Sequence, residues 1–142
     1  MVTSQNERLR EQREEVVRRH VAAENTGDLD GMIASFHRPR YQVIPMGAVT
    51  DGEIAVRELV AGLLAGFPDF HFEPQVIHHA DNAVVVEARM TGTHRGEWAG
   101  LKPFGRRMDI RVACVFDFEG AGLVNETVYF DLATLQRQLA SA

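Results

Sequence analysis

Three residues have side chains and positions suited to moving protons inside a pocket: Glu126, His94 and Asp69. Glu126 lies between Val124 and Val128 in an apolar run that predicts a β-strand. If that strand face lines a cavity, burial would raise the basicity of the carboxylate and make it a general base. If the face points to solvent or to a second copy of the chain, Glu126 is an ordinary strand glutamate.

His94 and Asp69 each have two interpretations. Strand alternation predicts that His94 shares a face with an apolar, pocket-facing set made up of Val84, Val86, Ala88 and Met90. Alternatively, loop backbone groups satisfy the ring and His94 only fixes the following turn. Asp69 follows Phe67-Pro68 at a helix end, where an acid either enters a pocket or holds a loop through backbone N–H groups.

Metal and cofactor motifs are missing from the sequence. It contains no G-x-S-x-G, no P-loop and no G-x-G-x-x-G between a strand and a helix. Its six histidines form no H-E-x-x-H, and the adjacent His78 and His79 would point to opposite faces of a strand. The sequence therefore predicts neither a bound metal nor a cofactor.

The composition is that of an ordinary globular protein. At 142 residues, with 45% hydrophobic residues, residues 1–142 are expected to form one domain. A net charge of −5 argues against a nucleic-acid partner, and no apolar run reaches the roughly 18 residues of a membrane span. The single Cys114 and the charged start, which lacks a signal-peptide core, predict a cytoplasmic protein.

Helical periodicity predicts three helices in the first half of the chain. Residues Glu7–Glu24 form an amphipathic pattern with His20 on the apolar face. Asp28 is positioned to cap a second helix, and Thr50 with Glu53 matches a capping box that would open a third.

Apolar runs bounded by turn residues predict β-strands in the second half of the chain. A short strand is expected at Tyr41–Pro45, and longer ones near residues 71–79, 83–93, 108–118 and 123–130. Pro74 cannot donate to a ladder and indicates an edge strand or a bulge, while Gly120–Gly122 indicates a hairpin turn. Asp131 can cap a short terminal helix, so the overall pattern is α+β.

The second half also carries a family resemblance. The motifs are the strand-end Gly-x-His, a loop with Trp98, Gly100, Pro103 and Gly105-Arg106-Arg107, the closing Asp131 with Arg137-Gln138-Leu139, and Phe67-Pro68-Asp69. They resemble the SnoaL-like polyketide cyclase family of the nuclear transport factor 2-like superfamily. The resemblance implies a cone-shaped α+β barrel in which three N-terminal helices pack on a curved, mainly antiparallel sheet.

Such a cone would enclose an apolar pocket suited to a flat aromatic ligand. The residues expected to line the pocket and bind substrate are Tyr41, Met90, Trp98, Phe104, Cys114, Val128 and Phe130. Ala113, Val115 and Phe118 are apolar where a solvated outer face should be polar. They predict a homodimer built sheet against sheet.

The resemblance also bears on the reaction. Family cyclases use an aspartate and a histidine for aldol closure, and those positions fall on Val128 and Cys114 here. This departure places the chain nearer to the family's anthracycline hydroxylase-like members. The expected function is cofactor-independent hydroxylation of an aromatic polyketide, with a separate reductase as the expected partner. Glu126 or Asp69 would take the proton, and His94 would hydrogen-bond the anion.

Other functional classes stay open at this point. A polyketide cyclase would use the same cavity with one or two titratable groups, and a non-catalytic binder would have the cavity without them. A protein-interaction module would instead have a filled core and a large exposed apolar patch.

Overall fold

The computed structural model describes residues 4–141. The helices are α1 (Gln5–Asn25), α2 (Leu29–Ala34), α3 (Glu53–Gly66) and α4 (Leu132–Leu139), with a 3-10 turn at Ile44–Met46. The strands are β1 (Arg40–Val43), β2 (Ala48–Asp51), β3 (His71–Ala80), β4 (Ala83–Thr93), β5 (Arg107–Glu119) and β6 (Gly122–Tyr129). The predicted domain, residues 1–142, extends past the described range at both ends. No helix within residues 4–141 is long and apolar enough to cross a membrane.

The strands form one curved sheet in the order β2-β1-β6-β5-β4-β3. Every pairing is antiparallel except the parallel pair of β1 and β6. The α+β class with a mainly antiparallel sheet is therefore confirmed. The sheet stays open, with β2 and β3 at its edges, and does not close into a barrel.

Strand β3 shows why its proline is tolerated. It is an edge strand, and its register with β4 shifts between Pro74 and Val76. A proline has no N–H for the ladder, so an edge with a bulge is where it costs least. The sequence predicted one or the other of these features from Pro74, and the structure has both.

Side-chain caps set the start of three helices. Ser4 accepts from the backbone N–H of Glu7, Asp28 from that of Gly31, and Asp131 from that of Ala133. The capping box predicted for α3 is wrong, because Thr50 lies in β2 opposite Tyr41 and is therefore extended. The N-cap of α3 is Gly52, whose φ of 92° turns the chain from strand to helix.

The core lies between the helices and the inner face of the sheet. Side chains alternate along β4, and the inward set of Val84, Val86 and Ala88 has no exposed surface. Helix α1 contributes Val17 and Val21 to the same buried cluster. Full burial of side chains of this size contributes roughly 1.5–3 kcal/mol each, so this layer supports the concave face on which the cavity rests.

The outer face of the sheet carries the half-buried Ala113 and Val115 and the exposed Tyr129. Phe118 is not on this face, in contrast to the sequence prediction, and is only 3% exposed. Burial alternates along β5 without interruption, so Phe118 lies on the inner face with Cys114 and Phe116, on the side of the sheet opposite Ala113 and Val115. The apolar outer face is therefore smaller than expected.

A tight turn holds Trp98 against the end of α3. Trp98 and Leu101 exchange backbone hydrogen bonds of 2.8 and 3.2 Å around Ala99 and Gly100, whose φ values of 51° and 76° are both left-handed. A Cβ on Gly66 would lie 2.8 Å from the Trp98 Cβ. Because Gly66 lacks that atom, Trp98 approaches closely and becomes part of a cavity wall.

Candidate active site

An apolar cavity of about 110 Å³ lies on the concave side of the sheet, between α3 and the inner faces of β1, β5 and β6. This is well above the ~10–15 Å³ that one water molecule needs. The lining residues are Glu24, Tyr41, Val43, Met46, Ala48, Leu59, Val60, Leu63, Phe70, Phe72, Met90, Trp98, Cys114, Glu126, Val128 and Phe130.

Strand register brings the polar residues of the lining together. Tyr41 on β1 is the parallel partner of Glu126 on β6, and Glu24 reaches them from the last turn of α1. Cys114 on β5 lies opposite Val128. The cavity therefore has one polar region, made up of Glu24, Tyr41 and Glu126, within otherwise apolar walls.

His20 lies behind this region and joins its three oxygen-bearing side chains. Its Nε2 is 2.8 Å from Tyr41 Oη, 2.8 Å from Glu24 Oε1 and 2.8 Å from Glu126 Oε1. The Tyr41 hydroxyl donates to Glu24 Oε1. All four residues are less than 10% exposed. We call His20, Glu24, Tyr41 and Glu126 the proton cluster.

Burial and charge shift the pKa values of this cluster strongly. Burial alone would lower the pKa of His20, but the carboxylates of Glu24 and Glu126 raise it to about 10. Burial raises the pKa of Glu126, partly offset by the positive charge of His20. Burial also raises the pKa of Tyr41 and that of Cys114 well above their usual values. At neutral pH the structure thus favours an imidazolium, a neutral phenol and a neutral thiol.

Glu126 is the group of this cluster best placed to act on a ligand. It lines the cavity, and its Oε1 is buried without a hydrogen-bond partner among the described residues. His20 Nε2 is close to that oxygen, but the ring N–H points at Tyr41 Oη. A buried carboxyl with raised pKa and an uncommitted oxygen can exchange a proton with a bound molecule.

His20, Glu24 and Glu126 also form the one group of potential metal ligands found among the described residues, with ligand atoms within 4.8 Å of one another. A tetrahedral zinc ion, at 2.0–2.2 Å from each ligand, would hold ligand atoms about 3.3 Å apart. The separations of 2.8 Å between His20 Nε2 and the two carboxylate oxygens are shorter than that. The residues would have to spread to accept such an ion.

Six of the seven predicted substrate-binding residues line the cavity: Tyr41, Met90, Trp98, Cys114, Val128 and Phe130. Substrate binding by these residues stays a prediction. Phe104 does not line the cavity and is 55% exposed. It lies in the loop that links β4 to β5, between Pro103 and the left-handed Gly105, and its ring is left outside the core.

The structure separates His94 and Asp69 from the cavity. His94 is fully buried, but it stacks on Phe67 at a ring distance of 5.2 Å and is not part of the lining. Asp69 is exposed and accepts hydrogen bonds from Thr93 N at 2.6 Å and Thr93 Oγ1 at 2.7 Å. These bonds lower its pKa. Of the three predicted catalytic residues, only Glu126 faces the cavity.

Sequence reasoning missed two members of the proton cluster. His20 and Glu24 were interpreted as parts of an amphipathic helix, although they lie four residues apart on one helix face. A histidine and a glutamate at that spacing on an apolar face were a usable signal. The signal was incomplete, because their partners Tyr41 and Glu126 come from distant strands.

The fold and site together define a small α+β domain with buried acid–base groups beside an apolar cavity. The sequence model of the family described as SnoaL-like polyketide cyclase matches residues 14–139. The chain therefore belongs to this family, as its loop and terminal motifs indicated. No curated protein matches the sequence.

Solved structures share the fold over most of the chain. A candidate SnoaL-like polyketide cyclase from Jannaschia sp. CCS1 has a TM-score of 0.83 and 21% identity, covering 92% of this chain and 93% of that one. AclR, a candidate hydroxylase from Streptomyces galilaeus, has a TM-score of 0.76 and 24% identity, with 90% and 95% covered. An NTF2-like protein of unknown function from Burkholderia pseudomallei K96243 has a TM-score of 0.77 and 19% identity, with 92% and 98% covered. At these identities the likeness shows the fold alone.

Proposed function

We propose that this chain is a cofactor-independent tailoring enzyme for aromatic polyketides, in which Glu126 removes a proton from the bound substrate. The observation that carries the proposal is the buried, unpartnered Oε1 of Glu126 at the edge of an apolar cavity. A carboxylate there is poorly solvated and is therefore a stronger base than one in water.

The substrate class follows from the lining. Phe70, Phe72, Trp98 and Phe130 offer aromatic surface to a flat ring system. The polar groups Glu24, Tyr41 and Glu126 come from α1 and the β1–β6 pair and would orient a hydroxyl or carbonyl group of the ligand. An aromatic ligand with one polar edge matches this distribution.

The proposed reaction is hydroxylation of a hydroquinone by dioxygen. One hydroquinone and one dioxygen give one hydroxyquinone and one water, so atoms balance. Two electrons come from oxidation of hydroquinone to quinone and two from conversion of C–H to C–OH. Glu126 would take the phenolic proton, and a separate reductase would supply the reduced substrate. The fold shared with AclR, itself a candidate hydroxylase, is consistent with this reaction.

Aldol ring closure is the second candidate, and the shared location of the acid and base groups favours it. Closure needs a proton removed from carbon and another delivered to a carbonyl oxygen nearby. Glu126 and the Tyr41–Glu24 pair adjoin each other through His20. The structure thus supplies proton-transfer groups although Val128 and Cys114 replace the family's catalytic pair.

The experiment is product analysis of a reduced anthraquinone exposed to ¹⁸O₂. Air oxidation alone returns the unlabelled quinone, whereas hydroxylation gives a quinone heavier by one ¹⁸O atom. Glu126→Gln should abolish the labelled product, and Glu58→Gln, an exposed position on α3, is the matched control. If a polyketide ketone substrate loses water without taking up ¹⁸O, the cyclase assignment replaces hydroxylation. Ligand binding with no conversion of either substrate would indicate a non-catalytic binder.

We also propose a homodimer that uses the outer face of the sheet. Ala113 and Val115 leave apolar surface there, and Tyr129 is 46% exposed beside them. Light scattering at micromolar concentration should give twice the chain mass. Tyr129→Glu should give monomers, and a wild-type monomer would contradict the proposal.

A further inference from the structure

The protonation state of His20 follows from counting hydrogens. Ser35 Oγ donates to the carbonyl oxygen of Met32 at 2.6 Å, which uses the only hydrogen of its hydroxyl. His20 Nδ1 lies 2.8 Å from the same Oγ. Ser35 can only accept in that contact, so Nδ1 must carry a hydrogen.

The same count applies to the other ring nitrogen. With Glu24 ionised, the Tyr41 hydroxyl uses its one hydrogen in donating to Glu24 Oε1. His20 Nε2 lies 2.8 Å from Tyr41 Oη, which is therefore left to accept. Nε2 must also carry a hydrogen. With hydrogens on both nitrogens, the His20 ring is an imidazolium paired with the Glu24 carboxylate.

A buried imidazolium decides how the two carboxyl groups differ. Glu24 Oε1 accepts the Tyr41 proton, which stabilises its charged form. Glu126 Oε1 has no such donor among the described residues. The charged form of Glu126 is therefore the less stabilised of the two carboxylates, so Glu126 is the stronger base and the one that takes up a proton.

We propose that Ser35, His20 and Tyr41 are positioning residues that hold the His20–Glu24 ion pair in place and leave the Glu126 carboxylate as the group that takes up a proton. The functional part of this statement rests on the function proposed above. The protonation of His20 does not, because it belongs to the ligand-free protein.

Every element packed around His20 contributes to this state. The ionisable groups facing it are Glu24 from its own helix, Tyr41 from β1 and Glu126 from β6, with the neutral Cys114 nearby on β5. The rings of Phe36 and Phe116 lie edge-on at 5.3 and 5.6 Å and exclude water. Ser35, which follows the last residue of α2, contacts His20 Nδ1 and is only partly buried.

The test is a ¹⁵N NMR titration of the histidine rings in the full chain without substrate, with the His20 signal assigned by its loss in His20→Gln. In the wild type, both His20 nitrogens should stay protonated at pH 8 and titrate near pH 10. Ser35→Ala removes the acceptor of Nδ1–H and should lower that midpoint by about one to two pH units. Ser35→Thr keeps the hydroxyl and should restore the wild-type midpoint.

A singly protonated His20 ring in the wild type at pH 8 would overturn the proposal. An unchanged midpoint in Ser35→Ala would overturn it as well. The kinetic readout is the alkaline limb of the kcat profile, which should move down with the NMR midpoint while KM stays within about twofold. If the NMR shifts appear and no substrate is turned over, the assignment of a doubly protonated His20 held by Ser35 stands and the enzymatic proposal fails.

Discussion

Two buried histidines, His20 and His94, show how differently one residue type behaves in this molecule. They are 1% and 0% exposed. Both ring nitrogens of His20 contact polar partners, and two carboxyl groups lie within 2.8 Å of Nε2. Both ring nitrogens of His94 lack a hydrogen-bond partner among the described residues, and its ring stacks on Phe67.

The comparison teaches that burial alone does not make a catalytic group. A buried polar ring without hydrogen-bond partners costs folding free energy, and the His94 ring is not part of the cavity lining. His20 is equally buried, but two carboxylates overcome its desolvation and raise its pKa to about 10. The acid–base chemistry is therefore expected at His20 and Glu126, and His94 is expected to behave as a core side chain.

The largest expected effect is the loss of activity in Glu126→Gln. The amide fills the same space but cannot take up a proton, and general-base catalysis contributes about 10²- to 10⁴-fold. We expect kcat to fall by that factor with the thermal midpoint little changed, measured by steady-state kinetics and calorimetry. Equal activity in Glu126→Gln and the Glu58→Gln control would remove Glu126 from the mechanism.

Replacing each of the two histidines by phenylalanine should lower the free energy of unfolding by very different amounts. His20→Phe leaves two buried carboxyl groups without their cation, which typically costs about 3–5 kcal/mol. His94→Phe removes two unpaired nitrogens and keeps the stack on Phe67, so we expect a change within about 1 kcal/mol. Urea unfolding of both variants measures this difference, and similar losses in the two would contradict the contrast.

A smaller effect is expected in the way the free energy of unfolding changes with pH. The folded-state pKa of His20 is about 10, above the ordinary value of 6.5, so between these limits the native state binds a proton that the unfolded state does not. This stabilisation is complete below pH 6.5 and should be lost by about 1.4 kcal/mol per pH unit as pH rises toward 10. Unfolding at pH 7, 8 and 9 measures the slope, which should flatten in His20→Gln and persist in His94→Gln.

The smallest effect is expected for Asp69→Asn. The side chain lies outside the cavity, and an amide oxygen can still accept from the Thr93 backbone N–H. Activity should stay within about threefold of the wild type, and stability should fall by about 1 kcal/mol, the usual contribution of one hydrogen bond. A 100-fold loss of kcat would instead return Asp69 to the reaction.

Local patterns predicted most of the fold, because hydrophobic periodicity and turn residues are recorded in neighbouring positions. Strand β4 was expected at Ala83–Thr93 and has those limits, and Asp131 caps the last helix as expected. The errors occurred where a distant contact overrides local preference. Thr50 matched a capping box, but pairing with Tyr41 placed it in a strand.

The candidate site was only partly predictable for the same reason. Apolar alternation correctly brought Met90 and Cys114 to the cavity wall and left the orientation of Glu126 open. His94 matched the same alternation, but β4 ends at Thr93 and the histidine packs on Phe67. Periodicity assigns a face to a side chain and does not identify what lies opposite it.

The sequence by itself determined the family, the α+β class and a wall of apolar residues, since these depend on composition, period and local motifs. Only the tertiary structure decided which ionisable groups act together. The parallel pairing of β1 with β6 sets Tyr41 beside Glu126, and the end of α1 brings His20 and Glu24 against them. Their pKa values depend on distances of about 3 Å between residues up to 106 positions apart, and no local pattern specifies such distances.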